Sequence, residues 1–353
     1  GFAGTEIFGN GFTFDDADTQ QQAYPLALMA DLAMTVPRFH DVVRPYLGGE
    51  EATNDPRHRA RRYVIDFSDY PRCRLDLGVR WSDADPAVRK SCLSRGEVPN
   101  DYPGPVASDW PVLLRMVRKR VKPLRDVDNR EIYRRFWWRF AERRVELYTR
   151  IAPLDHVLVA NRGATPHLAF ARVPTGQVFS KTLAVFALPT RAAFATLQSR
   201  VHEVWARSFA STLEDRLRYT PSDCFETFPL PPGHGDDPAL EAAGQAYHDH
   251  RAALMIAADE GMTPTYNRFH RPTDTAPDIA ELRRLHAAMD RVVLAAYGWH
   301  DLAERAAPVF LDTTTEDDHR YQGRLFWPSA FRDELLARLL LLNAERAREE
   351  TTL

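Results

Sequence analysis

The strongest constraint on this chain is a charge run it cannot bury. Residues 115–150 hold eleven Arg and two Lys against five carboxylates. Such a segment cannot line an apolar core, because unpaired charge in low dielectric is costly. It must lie on the surface, and its self-repulsion calls for a counter-charge. The net charge of −3 conceals this. Residues 1–107 carry 12 basic and 16 acidic side chains, residues 108–230 carry 21 and 12, and residues 231–353 carry 13 and 21. Positive charge concentrated in the middle third is the footprint of a polyanion-binding face. Arginine is suited to that role, since its fork binds phosphate bidentately and stacks on bases. Trp137 and Trp138 lie inside the run and have two readings: an anchor on the neighbouring β structure, or a stacking platform near nucleic acid.

The length of 353 residues suits two domains. With 44% hydrophobic and 27% charged residues, a buried core is attainable. No apolar run approaches the ~18 residues of a membrane span, so no membrane partner is expected. Cys73, Cys92 and Cys224 lie far apart, which fits a reducing cytoplasm better than a disulfide scaffold. The chain begins at Gly1 rather than Met and is expected to be a piece of a longer protein.

Residues 1–14 read as strand, turn and strand, and residues 61–69 as a short strand. Residues 19–35 and 38–46 read as helices broken at Pro37. Residues 70–107, rich in Pro, Gly and charge, read as a loop insertion. Ser108 and Asn129 are expected to cap two helices, the first reaching Arg120 and the second Arg144. Residues 156–161, 167–173, 177–180 and 182–188 read as an antiparallel meander. Thr190 caps a helix to about Ser211. Pro229, Pro231 and Pro232 mark a boundary, after which 238–259, 278–297 and 329–348 show helical spacing, as in Leu282, Leu285, Met289, Val293 and Ala296. The expected fold is α+β: a mixed recognition domain over 1–232, with a short antiparallel β meander flanked by helices, then a mainly helical domain over 233–353.

No phosphate-binding glycine loop, dinucleotide fingerprint, zinc-protease helix or nucleophile elbow occurs. His248 and His250 point to different helix faces, His286 reads as a hydrogen-bonded core histidine, and Cys224 as a structural thiol. No catalytic or metal-ligating set is assigned. The pattern favours recognition. Phosphate contacts are expected from Arg118, Arg120, Lys122, Arg125, Arg134, Arg135 and Arg139. Base reading is expected from the meander, with Asn161, Arg162, Thr165, His167, Arg172, Thr175 and Lys181 as candidates beside Gln177 and Ser180. Arg268, His270 and Arg271 form a secondary basic group. Two other classes stand beside this one: a scaffold whose basic belt meets an acidic partner, and a nuclease using carboxylates such as Asp66 and Asp69.

Five stretches in one order carry a resemblance: GFAGTEIFGNGF (1–12), VVRPYLGGE with RRYVIDFSDYP (42–71), VKPLRDVDNREIYRRFWWRFAERRVELYTRI (121–151), LRYTPSDCFETFPLP (217–231) and YNRFHRPTDTAPDIAELRRLHAAMDRVVLAAYGW (266–299). Together they resemble the C-terminal half of large DNA adenine methyltransferases of phage-defence systems: MmeI-like and Eco57I-like restriction-modification enzymes and their BREX and DISARM relatives. The resemblance implies a target-recognition region and a helical region that meet double-stranded DNA. It also implies a separate methyltransferase domain that holds S-adenosylmethionine, and further defence-system subunits as partners. The S-adenosylmethionine and Asn-Pro-Pro-Tyr motifs of that domain do not occur here, so no cofactor is expected on these residues. Residues 71–107 depart from the family's shorter stretch.

Overall fold

The structure, a computed structural model, describes residues 1–213 and 216–352. The chain opens on β1 (Phe2–Ala3) and β2 (Thr13–Phe14), which enter different sheets. Then come α1 (Leu26–Thr35), β3 (Val43–Leu47), α2 (Gly49–Asn54) and β4 (Arg62–Ile65). The helix expected over 38–46 is instead a single 3-10 turn at Phe39–Asp41 followed by the strand β3. Val43 and Tyr46 suit a pleated surface, and β3 gains ladders on both sides, antiparallel to β4 and parallel to a later strand.

The stretch expected to be a loop folds as β5 (Cys73–Leu75), α3 (Pro86–Arg95) and β6 (Glu97–Pro99), with the two strands parallel. Asp85 caps α3 through the Val88 amide, Pro86 opens it and Gly96 closes it in the left-handed region. Its core is small: Cys92, Val98 and Val106. So few apolar positions leave no period for sequence reading to detect.

The basic run forms α4 (Pro111–Arg120), α5 (Lys122–Asp126), α6 (Glu131–Arg135) and α7 (Val145–Ile151). Trp110, not Ser108, precedes α4. The single helix expected to reach Arg144 stops at Phe136, because the Phe136 and Arg139 carbonyls accept from the Arg125 guanidinium instead of continuing a helical ladder.

Next come β7 (His156–Asn161), β8 (Ala164–Thr165), β9 (Phe170–Pro174), β10 (Val178–Phe179) and β11 (Leu183–Phe186). The first sheet is antiparallel, ordered β1-β11-β7-β9; the second is β10-β3-β4-β2. The expected meander is thus split: β10 leaves to extend β3, and β11 returns to the far side of β7. Thr190 caps α8 (Arg191–Gln198) as expected, but the helix breaks at Ser199, which caps α9 (Arg200–Phe209). β12 (Ser211–Leu213), β13 (Arg216–Arg218) and α10 (Pro221–Cys224) follow, and β13 pairs with β8.

Beyond the prolines the chain is mainly helical: α11 (Pro238–Ala258), α12 (Met262–His270), α13 (Pro277–Ala296), α14 (His300–Arg305), a β14 (Val309–Leu311) and β15 (Arg324–Phe326) hairpin, and α15 (Ser329–Thr352). The core is shared across the prolines. β7, β9, β11, α8 and α9 pack in one apolar cluster with Leu240, Tyr247, Leu282, Met289, Leu335 and Leu339. Gly244 permits this, since a Cβ there would sit 2.1 Å from the Arg191 carbonyl oxygen.

A buried polar joint ties the shared core. Arg200 pairs with Asp290 at 2.6 Å, both side chains 1% exposed, and donates to the Leu325 carbonyl. The Asp290 carboxylate also accepts from the Arg200 amide at 2.9 Å, which is why the helix breaks at Ser199. His286, the expected core histidine, bonds Arg200 and the Gln198 carbonyl. Replacing Asp290 by Ala strands a buried guanidinium and should destabilise the protein by about 3–5 kcal/mol. A urea midpoint unchanged from wild type would show the pair to be dispensable.

Burial also holds His202 at about 3 and pushes His286 below the ordinary imidazole value, with Arg200 adding to the effect. The unfolded chain takes up these protons below about 6.5, whereas the native state resists them. Stability should fall as pH drops below about 6.5, by roughly 1.4 kcal/mol per pH unit for His202, with His286 adding to the fall. Urea midpoints measured from pH 7.5 to 5 test this, and a midpoint that rises on acidification contradicts it.

Candidate nucleic-acid interface

The seven phosphate candidates divide by how far the fold has already claimed them. Arg118, Arg134 and Arg135 are exposed. Arg118 and Lys122 join Arg115 and Arg72 around a cleft of about 470 Å³ beside Trp137. Lys122 bridges to Asp126 at 2.6 Å, so part of its charge is met locally. Arg120 lies 3.9 Å over the Tyr24 ring and donates to the Gln22 carbonyl at 2.8 Å, clamping α4 onto the loop before α1. Arg139 is half-buried, donates to the Tyr70 carbonyl, and burial beside Arg143 pulls it down to about 10.

Arg125 overturns its assignment. It is fully buried and donates to the carbonyls of Ile7 (2.8 Å), Arg139 (2.6 Å) and Phe136 (3.2 Å). No phosphate reaches it. Trp137 and Trp138 are buried as well, so neither offers a stacking face. Both serve as anchors in the cluster of Phe12, Phe14, Val64, Ile65 and Trp110 under the second sheet, which of the expected meander takes in only Val178 of β10.

The base-reading candidates fall at opposite ends of the first sheet. Asn161, Arg162 and Lys181 gather where β7 ends and β11 begins, with Thr165 on β8 and His167 before β9. Arg172 and Thr175 lie toward the other end of β7. They are held there by the Pro189 carbonyl at 2.9 Å and the Leu154 carbonyl at 2.6 Å. Six strand residues span roughly 17 Å, too far for one base pair to meet both groups. Gln177 and Ser180 are buried and unavailable.

Within the first group, several side chains are committed. The Asn161 Oδ1 accepts from the Gly163 amide at 2.8 Å, and the Thr165 hydroxyl donates to the His167 carbonyl. His167 bonds Asn267 at 2.8 Å and stacks on His270 at 5.1 Å, and burial lowers it to about 4. It is a neutral joint to α12, and His270, bonded to the Leu325 amide, belongs to the same joint rather than to a basic surface. Arg268 is paired with Asp274 and Asp278.

Arg162 stands apart. Its Nε is buried with no acceptor among the described residues, while one terminal nitrogen donates to the Lys181 carbonyl at 3.1 Å. Burial lowers its pKa, and the like charges of Arg144 and Arg218 nearby add to the effect. Lys181 is exposed and paired with Glu6. Arg144 and Arg218 carry the same sequence signal as their neighbours; only folding brings them to Arg162.

The segment 4–8 links the two groups. The Gly4 amide donates to the Leu183 carbonyl and the Thr5 amide to Phe179. Glu6 meets Lys181, Ile7 takes the Arg125 guanidinium, and Phe8 lies under Arg130. The exposed cations of α6 thereby continue toward Arg144, Lys181 and Arg162. Among the described residues no three His, Cys, Asp or Glu side chains converge on a metal site, and no helix is long and apolar enough to cross a membrane.

Residues 116–232 match the family model of the MmeI target recognition domain. That segment encloses all fourteen candidates. The solved structure of the type IIL restriction-modification enzyme MmeI in complex with DNA shares the fold, with a TM-score of 0.57 and 16% identity. The likeness covers 98% of this chain and 35% of that one, so the chain spans about a third of the MmeI chain's length. No curated protein matches. The MmeI likeness extends through the helices after the prolines, in keeping with the shared core.

Gly4 is the tightest point of the interface scaffold, since a Cβ there would lie 2.1 Å from the Ser180 carbonyl oxygen. Gly4→Ala should cost about 1–3 kcal/mol through forced displacement of the segment. An unchanged melting temperature would remove this segment's claim to be the spine.

Proposed function

We propose that this chain is the DNA-reading part of a site-specific DNA adenine-N6 methyltransferase in a restriction-modification or related phage-defence system, acting in the cytoplasm. The observation that carries the proposal is a coincidence of two properties in one segment. The residues matching a target recognition domain are the residues that hold the exposed cations and the uncompensated Arg162. On this reading, residues 1–232 read double-stranded DNA and the acidic residues 233–353 dock the methyltransferase domain and other defence subunits.

Phosphate positioning falls to Arg118, Lys122, Arg134 and Arg135, with Arg120 and Arg139 bracing the helices that present them. Base reading falls to Arg162 and Lys181, whose donors stand at the rim of a rigid sheet. S-adenosylmethionine would supply the methyl group. The basic cleft here does not fit it, because Arg72, Arg115, Arg118 and Lys122 repel a sulfonium cation. We place cofactor and transfer in the methyltransferase domain, outside these residues.

The test is anisotropy titration against a random duplex library at two salt concentrations, with the bound fraction sequenced. Steep salt dependence with an enriched motif is expected. Arg134→Ala with Arg135→Ala should weaken binding to every sequence and flatten the log–log salt slope by about 0.9 per residue. Arg162→Ala and Lys181→Ala should instead change which sequences are enriched. Salt-insensitive binding, or none at low salt, would turn the belt into a protein-docking surface.

A further inference from the structure

Between α4 and the small unit of β5, α3 and β6 lies the cleft of about 470 Å³, which a duplex can use only at its rim. Its charged side is built on one helical face. Arg115 and Arg118 stand one turn apart on α4, with roughly 5–6 Å between Cβ atoms at that spacing, and Lys122 follows a further turn on. Arg72 lines the cleft from just before β5, and no acidic side chain lines it. Arg72 is already paired with Glu97 and Lys122 with Asp126. Arg115 and Arg118 are exposed, and neither has an ion-pair partner among the described residues. The cleft therefore holds two unmet positive charges.

Much of the remaining lining is apolar. Pro111, Leu114 and the buried Trp137 supply it, together with the half-buried Cys73 of β5, and the exposed Ser108 completes it. The two sides are tied to each other. The Ala107 amide donates to the Pro71 carbonyl at 2.8 Å and the Ser108 amide to the Arg72 carbonyl at 2.9 Å. Arg74 of β5 pairs with Asp109, just before α4, at 2.6 Å. The cleft is thus preformed, as small-molecule sites are, and its volume lies in their range of roughly 300–1,000 Å³.

The chemistry narrows the occupant. A bare phosphate would meet Arg115 and Arg118 but leave the apolar lining in water. A duplex is too broad to enter. What fits is a dianionic head joined to a flat body of low charge. A phosphate monoester carries about −1.5 to −2 near neutral pH, which matches two unmet guanidinium groups. Arginine also stacks on flat rings. From Pro111 to Arg118 the helix advances roughly 10 Å, room for a ring, a sugar and a phosphate in line.

We propose that this cleft binds a free nucleoside monophosphate from solution, its phosphate on Arg115 and Arg118 and its ring against Pro111, Leu114 and Trp137. Arg118 and Lys122 also serve the duplex backbone, so the bound nucleotide removes phosphate contacts and weakens DNA binding. This regulatory half rests on the DNA-reading function above, whereas the site itself rests on the cleft alone.

The whole chain is titrated calorimetrically with adenosine monophosphate, adenosine and inorganic phosphate. The nucleotide should bind about ten-fold or more tighter than either fragment, since each fragment forfeits one half of the contacts. Arg115→Ala should weaken the nucleotide by about ten-fold, and Cys73→Phe, which fills the cleft from its wall, should weaken it while leaving inorganic phosphate unchanged. Both variants should bind a duplex as wild type does. Arg115 is exposed, so its variant keeps the test decisive if Cys73→Phe fails to fold. A nucleotide that binds no tighter than inorganic phosphate, or that binds Arg115→Ala as it binds wild type, would overturn the site and leave the DNA-reading function standing. Saturating nucleotide should lower duplex affinity about three-fold or more at low salt, as loss of one or two phosphate contacts requires. Unchanged duplex affinity would overturn the regulatory role. Failure to bind any duplex at low salt would overturn the DNA-reading function, with the calorimetry still deciding the site.

Discussion

The architecture depends on one buried ion pair. Arg200 and Asp290 lie in apolar surroundings where each charge alone would be untenable. Their pairing is embedded in a network that crosses the chain. The Gln198 side chain bonds the Phe170 amide of β9, and Arg251 of α11 bonds Gln198, Tyr266 and the Phe170 carbonyl. Sheet, α8, α11, α12, α13 and the β15 hairpin thus meet at a few polar atoms. A buried pair of this kind adds little net stability over apolar packing, but breaking it is expensive. Its effect is to admit one arrangement of the helices against the sheet.

That arrangement gives the sheet end around Arg162 and Lys181 its rigidity. The strands presenting Arg162 and Lys181 are backed by the same core as the C-terminal helices. Loop-tip donors discriminate between bases only if their positions are fixed to a fraction of an ångström, and a sheet packed on one side provides this. The segment 4–8 fixes the other side, binding the α5–α6 region to the sheet edge through backbone groups. Through it the helices that carry the exposed cations and the strand ends that carry Arg162 and Lys181 are held together.

Arginine has two employments in this protein. Arg125, Arg200 and Arg251 are each essentially inaccessible and collect carbonyl or carboxylate oxygens. Arg134, Arg135 and Arg118 are exposed. Composition cannot separate them, so a count of cations overstates the number of phosphate contacts. Arg125 illustrates the point: it lies in the densest basic run, yet its two terminal nitrogens are aimed at chain turns that would otherwise leave buried carbonyls without partners.

The sequence by itself determined the local matters. The apolar period of α13, the cap at Thr190 and the placement of positive charge all follow from residues near one another in the chain. The run 115–150 announced a basic face without telling which of its cations and aromatics are buried, and MmeI likeness was readable from five stretches in order. Tertiary structure decided what depends on distant partners. Residues 43–47 became a strand because β4 and β10 supply ladders, and β10 left its neighbours to meet β3. Residues 70–107 fold around three small apolar side chains that no periodicity announces. The same holds for the site. Which arginine is buried, which end of the sheet holds Arg172, and which like charges crowd Arg162 are set by contacts far apart in the chain, and a residue's local neighbours carry no record of them.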